Sequence, residues 1–142
     1  MTGLRANPAA GKPLPQALGA LARAFTSETG IRVRVHAFGG SELSSAAESE
    51  VYRIAGEALA NVRKHAKATK VQIALRRRGA RLVLEVRDNG IGFDPGAAAE
   101  VGHGITGMKE RARLLAGRLG VTSRRGFGTA VMLAVPLSQA PP

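Results

Sequence analysis

Three groups of residues have the types and spacing to do chemistry. In EVRDNGIGFDPG, residues 85–96, a strand-like run ends on the carboxylate of Asp88, and Gly90 and Gly92 bracket Ile91. Asn89-Gly90 suits a tight hairpin turn, but Phe93-Asp94-Pro95-Gly96 and an alanine run follow where a second strand would be needed. The acid therefore roots a loop and is expected to face a ligand. A second group lies on an amphipathic run after Ala46. Taking 100° per residue from Val51, Glu57, Asn61 and Lys64 fall together at roughly 220° to 280°, with His65 between them and the apolar stripe of Ile54, Ala55, Ala58 and Val62. An acid, an amide and a cation thus line one edge of a buried face; taken alone, they are a helix flank meeting water.

The third group is VGHGITGMKERA. Gly102 to Gly107 match the G-x-G-x-x-G dinucleotide pattern to the letter, but that pattern needs a strand directly before it and an acid about twenty residues after it. Pro95 to Ala99 make a poor strand, and no Asp or Glu follows Glu110. The dinucleotide reading fails, and no G-x-x-x-x-G-K-[ST] occurs, which excludes a P-loop. What survives is physical: glycines leading into a helix let main-chain N–H groups approach phosphate oxygens.

The elements that must position these groups follow from periodicity. Leu14, Leu18, Leu21 and Phe25 at helical spacing predict a helix ending before Gly30. IRVRVHA alternates as a half-buried strand, and after a break at Gly39-Gly40-Ser41 a long helix is expected from about Ala46 to Ala66. TKVQIALRRRG and RLVLEVRDN predict a hairpin around Gly79. TGMKERARLLAG is helical up to Gly117, and RLGVTSRR and GTAVMLAVP form a last hairpin. The expected fold is α+β, a two-layer sandwich of a mixed, five-stranded sheet on three helices. Residues 1–13 and 138–142 are expected to be flexible ends of a single domain, residues 14–137.

The 142 residues suffice for one full core, and the absence of cysteine excludes disulfides and Cys-based zinc sites. No charged-then-apolar leader opens the chain, so the cytoplasm is the expected compartment. The net charge of +11 is uneven: residues 1–50 carry five basic and four acidic side chains, residues 51–142 sixteen and six. Such asymmetry favours a polyanionic partner, nucleic acid or a nucleotide phosphate tail. With four Phe, one Tyr and no Trp, stacking platforms for nucleic acid are sparse.

RIAGEALANVRKHAKAT, DNGIGFD, GHGITGMKERA and GFGTAV, in this order, resemble the N box and the three glycine boxes of the histidine-kinase-type (GHKL) ATPases, the superfamily of sensor histidine kinases, gyrase and MutL. The E-A-L-x-N-x-x-K-H-A and G-x-G-x-x-G-M-x-E-R-A wording is most similar to NarL/DesK-type sensor kinases, over about Leu14 to Leu137. The resemblance implies a catalytic domain that binds ATP with Mg²⁺. Asp88 would accept a hydrogen bond from the adenine amino group, Gly90 and Gly92 would let the backbone pass the base with Ile91 packed near it, and Thr129 beside Gly128 would support Asp88 through its hydroxyl or a water. Asn61 would ligate Mg²⁺, Glu57 would orient a metal-bound water, and Lys64 and His65 would face the phosphates. Gly102, Gly104 and Gly107 would form a mobile lid, with His103 on its surface and Met108, within the same box, at a core spacing.

A sensor kinase of this type also implies a phosphoacceptor histidine on a dimerisation domain and then a response regulator. None of His36, His65 or His103 has the setting of a phosphoacceptor, so that domain is expected to be separate and autophosphorylation of this chain alone is not expected. The rivals are a stand-alone GHKL ATPase or an anti-sigma-type serine kinase, and, in another class, a basic nucleic-acid-binding module, for which no motif is recognisable. No specific nucleic acid is expected as partner, and a membrane is expected only through upstream domains.

Overall fold

The computed structural model describes residues 11–37, 41–92 and 99–137. The expected flexible ends, up to residue 10 and after 137, and the loop from Phe93 to Ala98 lie outside them. The described elements are α1 (Leu14–Thr29), β1 (Arg32–Ala37), α2 (Ser45–Asn61) continued by a π turn (Val62–Ala66), β2 (Lys70–Arg78), β3 (Arg81–Asp88), α3 (Ala99–Leu114), β4 (Arg118–Arg124) and β5 (Gly128–Pro136). The strands form one sheet in the order β1-β2-β3-β5-β4. β1 runs parallel to β2, reached through the α2 crossover, and every other pairing is antiparallel.

Local chemistry sets the helix ends. Gly30 takes the left-handed conformation that glycine adopts at little cost, and its N–H closes on the Thr26 carbonyl at 2.8 Å, stopping α1. Ser44 caps α2 by accepting from the Ala47 N–H at 3.1 Å, with Glu48 in the first turn against the positive helix end. Leu14 and Leu18 of α1, Val51, Ile54 and Leu59 of α2, and Met108 of α3 are fully buried against Val71, Ile73, Leu84 and Leu133 of the sheet. β2 shows the alternation that its sequence predicts, with Val71, Ile73 and Leu75 inward.

Two boundaries differ from expectation. α2 does not continue as an α-helix to Ala66: its last five residues widen into a π turn, after which Lys67 takes a left-handed φ of 50°. α3 begins at Ala99, seven residues before the expected Thr106. Glycine lowers helix propensity by about 1 kcal/mol without forbidding the helix, so the three glycines of the second glycine box are carried within α3.

Candidate nucleotide-binding site

Asp88 ends β3 with its side chain on the helix-covered face, in phase with Leu82, Leu84 and Val86. Among the described residues it is, with Ser41, a buried polar side chain, 7% exposed. Its Oδ1 accepts from the Gly90 N–H at 2.7 Å, and the main-chain N–H of Thr129 is a second donor. The Thr129 hydroxyl lies 2.7 Å from that of Ser123, and the direct support that Thr129 gives Asp88 comes from its backbone N–H. Ser123, which also donates to the Gly128 carbonyl at 3.2 Å, carries no motif and was invisible until β4 and β5 were paired.

The two glycines flanking this acid are required by close approach. A Cβ on Gly128 (φ +85°) would lie 2.1 Å from the Asp88 carbonyl oxygen, and one on Gly92 (φ +67°) would lie 2.1 Å from that of Arg124. Gly126 donates to the Ile91 carbonyl at 2.6 Å, which ties the loop to the β4–β5 turn. Gly90 is buried, while Ile91 stays 50% exposed, an apolar side chain presented to solvent beside the acid. Asn89 turns away from the site: its Oδ1 accepts from the Thr69 and Lys70 N–H groups and its amide donates to the Thr69 hydroxyl, pinning the start of β2.

Burial pushes the Asp88 carboxyl up, and the Gly90 and Thr129 N–H donors only partly offset this. The folded state therefore holds its proton at a pH where the unfolded chain has released it. Ionised Asp88 costs stability at neutral pH, and that cost falls away as pH drops through the folded value toward the unfolded one near about 3.9. The stability of wild type relative to Asp88→Asn should thus rise on acidification, as urea denaturation at a series of pH values will read.

A second cluster joins α2 to α3. Glu57 accepts from Arg111 Nε at 3.0 Å through Oε2, and Arg111 also reaches Glu50 at 3.1 Å. The other oxygen, Glu57 Oε1, is buried with no hydrogen-bond partner. A Cβ on Gly107 would stand 3.8 Å from it, so the last glycine of the second glycine box lies against this acid. Arg111 was not singled out from the sequence; Glu50 and Glu57 lie two α-helical turns apart on one face, but nothing local indicates the cation that bridges them. Arg111→Met should cost about 1 kcal/mol in urea denaturation, since the pair is partly exposed. Arg111→Lys should recover only part, because one ammonium cannot reproduce the guanidinium fork.

Asn61 sits one turn beyond Glu57, and its amide does not cap the π turn. Lys64 is exposed and His65 half-buried. Both lie in the widened turn, so the α-helical angles that grouped Lys64 with Glu57 do not hold past Asn61. Met108 is fully buried, as its core spacing requires. Gly102 and Gly104 lie in the backbone of α3, and the side chain of His103 is outside the described residues. No hydrogen bond among the described residues links the Asp88 group to the Glu57 group. A groove of about 740 Å³ between α1 and the β1–β2 edge is lined by no acid and does not include Asp88.

An α+β sandwich with a buried acid at the root of a glycine loop, and a second acid facing the glycine-bearing helix, defines a nucleotide-binding domain. The chain belongs to the family of histidine kinase-, DNA gyrase B-, and HSP90-like ATPases, which matches residues 46–139. It is 33% identical over 117 residues to the signal transduction histidine-protein kinase/phosphatase DegS of Brevibacillus brevis, covering 82% of this chain and 30% of that protein. It is 35% identical over 116 residues to the oxygen sensor histidine kinase NreB of Staphylococcus carnosus, covering 80% and 33%. The chain thus spans about a third of the length of these relatives. The histidine kinase domain of the Erythrobacter litoralis EL346 blue-light activated kinase superposes with a TM-score of 0.77 at 25% identity, over 88% of this chain and 61% of that one. Among the described residues, no helix is long and apolar enough to cross a membrane.

Proposed function

We propose that this chain is the catalytic domain of a two-component sensor histidine kinase, binding ATP with Mg²⁺ and presenting the γ-phosphate to a histidine on a separate dimerisation domain, from which a response regulator would receive it. The observation that carries this reading is the buried Asp88 carboxylate, held by two main-chain N–H groups. A carboxylate so fixed is an acceptor for an exocyclic amino group, and the exposed Ile91 offers an apolar surface to the base beside it.

The second cluster fits a magnesium ion. Glu57 Oε1 is a buried oxygen without a partner, and Asn61 supplies a hard amide oxygen one turn on. Among the described residues no group of three acidic or imidazole ligands exists, which suits an ion held by one or two protein groups, waters and phosphates. Asn61 would ligate it and Glu57 would orient a bound water; the ion would neutralise phosphate charge. Lys64 and His65 would add positive charge toward the phosphates. The protein's own contribution is positioning and charge neutralisation rather than covalent chemistry.

Melting the protein with and without Mg-ATP tests the binding step, and a temperature unchanged at millimolar nucleotide would sink it. Supplying a phosphoacceptor domain tests the transfer: an acid-labile phosphohistidine supports the proposal, whereas acid-stable phosphoserine transfers the site to a serine kinase.

A further inference from the structure

The register that pairs the strands also sorts their charges. Side chains paired across neighbouring strands share a face, and the core cluster takes its sheet residues from one face, with Val83 and Ala130 buried among the side chains of the other. The opposite face carries Arg32 and Arg34 of β1 with Lys70, Arg76 and Arg78 of β2. Arg81 and Arg87 of β3, then Arg118 and Arg124 of β4, extend the field to the far edge. All nine are exposed, and Glu85, bridged to Arg76 and Arg87, is the one acid on that face among the described residues. Nine cations against one acid put +8 of the chain's +11 on the open face of the sheet. The proposed nucleotide site uses none of them, because Asp88 points to the other side.

We infer that this face docks on an anionic bilayer surface. A protein interface of useful strength needs an apolar centre, and among the described residues the only large apolar side chain exposed on this face is Met132, at 42%. Duplex grooves are read by a projecting helix or ribbon, and the three described helices pack on the other face of the sheet. Unpaired bases need aromatic platforms, and the outward strand residues include no Phe, Tyr or Trp, the imidazole of His36 being the one ring among them; the exposed Phe127 lies at the margin, under the Arg124 guanidinium. A plane of anionic headgroups makes none of these demands. It attracts each Arg or Lys brought near it, and the small residues between them, such as Ala74, Gly120 and Ala134, let the charges lie on it together. With Asp88 on the opposite side, docking leaves the nucleotide site free.

The test is sedimentation of the full chain with vesicles of phosphatidylcholine alone or mixed with phosphatidylglycerol. Binding should require phosphatidylglycerol and fall steeply with added salt. The triple variant Arg34→Gln/Arg78→Gln/Arg118→Gln should bind about tenfold to a hundredfold more weakly. Arg53→Gln/Lys109→Gln/Arg113→Gln, which removes as much charge from the helix layer, should bind as wild type does. The corresponding Arg→Lys triple on the sheet should restore binding, which separates lost charge from lost folding. Equal weakening by both Gln triples, binding to phosphatidylcholine alone, or failure of the Lys triple to bind would overturn the inference. So would displacement from vesicles by duplex DNA or single-stranded RNA at matched phosphate concentration, which would assign the face to nucleic acid. None of these outcomes bears on nucleotide binding, which melting reads independently.

Discussion

On the proposed reading, Asp88→Asn is expected to remove nearly all of the stabilisation that Mg-ATP would confer, while the apo protein melts no lower than wild type. The carboxylate has two main-chain N–H donors on its inner side and acceptor capacity left for the ligand. An asparagine has one acceptor oxygen and one amide nitrogen that only donates. With its oxygen toward Gly90 and Thr129, it presents N–H to the adenine amino group, donor against donor; flipped, it sets N–H against the backbone donors. Losing a charge-assisted bond and leaving a donor unmatched together should weaken binding on the order of a hundredfold. The apo fold loses little, because the substitution removes a buried charge whose ionisation is itself costly. Titration calorimetry with melting of both forms checks this. Unchanged nucleotide affinity would place the adenine elsewhere.

The second large effect is on folding itself. Gly128→Ala should destabilise the protein by roughly 3 kcal/mol or more, lowering the melting temperature by about 10 °C. Its φ of +85° is unfavourable for any L side chain, and the added Cβ would fall 2.1 Å from the Asp88 carbonyl oxygen and 3.3 Å from the Asn89 Cα. Those atoms cannot retreat easily: Asn89 donates to the Lys70 carbonyl, and Arg87 pairs with Ala130 one step away. Gly120→Ala is the matched control, since its Cβ would meet nothing within 4 Å, and it should stay within about 0.5 kcal/mol of wild type. A Gly128→Ala protein as stable as the control would show that the strand end yields more readily than its contacts imply.

What could be read in the sequence was what repeats locally. The alternation of Val71, Ile73 and Leu75 named a strand and its inward face, and the spacing of Val51, Ile54, Ala55 and Ala58 named the buried stripe of α2; both stand. Asp88 stood out because a strand that ends on a carboxylate and runs into glycines is locally odd. Contacts between distant residues were beyond reach. Arg111 meets Glu57 across 54 residues and Glu50 across 61, and no spacing rule predicts such a pair. The π turn was missed because a helical wheel assumes one period throughout. The main-chain route from Thr129 to Asp88 was not legible, because side-chain chemistry is visible in a sequence and main-chain direction is not. The concentration of charge on one face emerged only when strand order and register were known.

The position of β5 has a bearing on the order in which the molecule acquires its parts. This strand is inserted between β3 and β4, and it brings Thr129 to Asp88 from 41 residues further along the chain. The β2–β3 and β4–β5 hairpins close over short loops and need little chain diffusion, whereas joining β3 to β5 must wait for a long-range encounter. Until then the Asp88 carboxylate lacks one of its two backbone donors, and Gly128 has not come up against its carbonyl. A nucleotide that recognises this acid would therefore find no site on a chain still emerging from the ribosome, or on an intermediate with its hairpins formed but undocked. Nucleotide capture would be a late event in folding, and ATP would act as a ratchet on the final docking step.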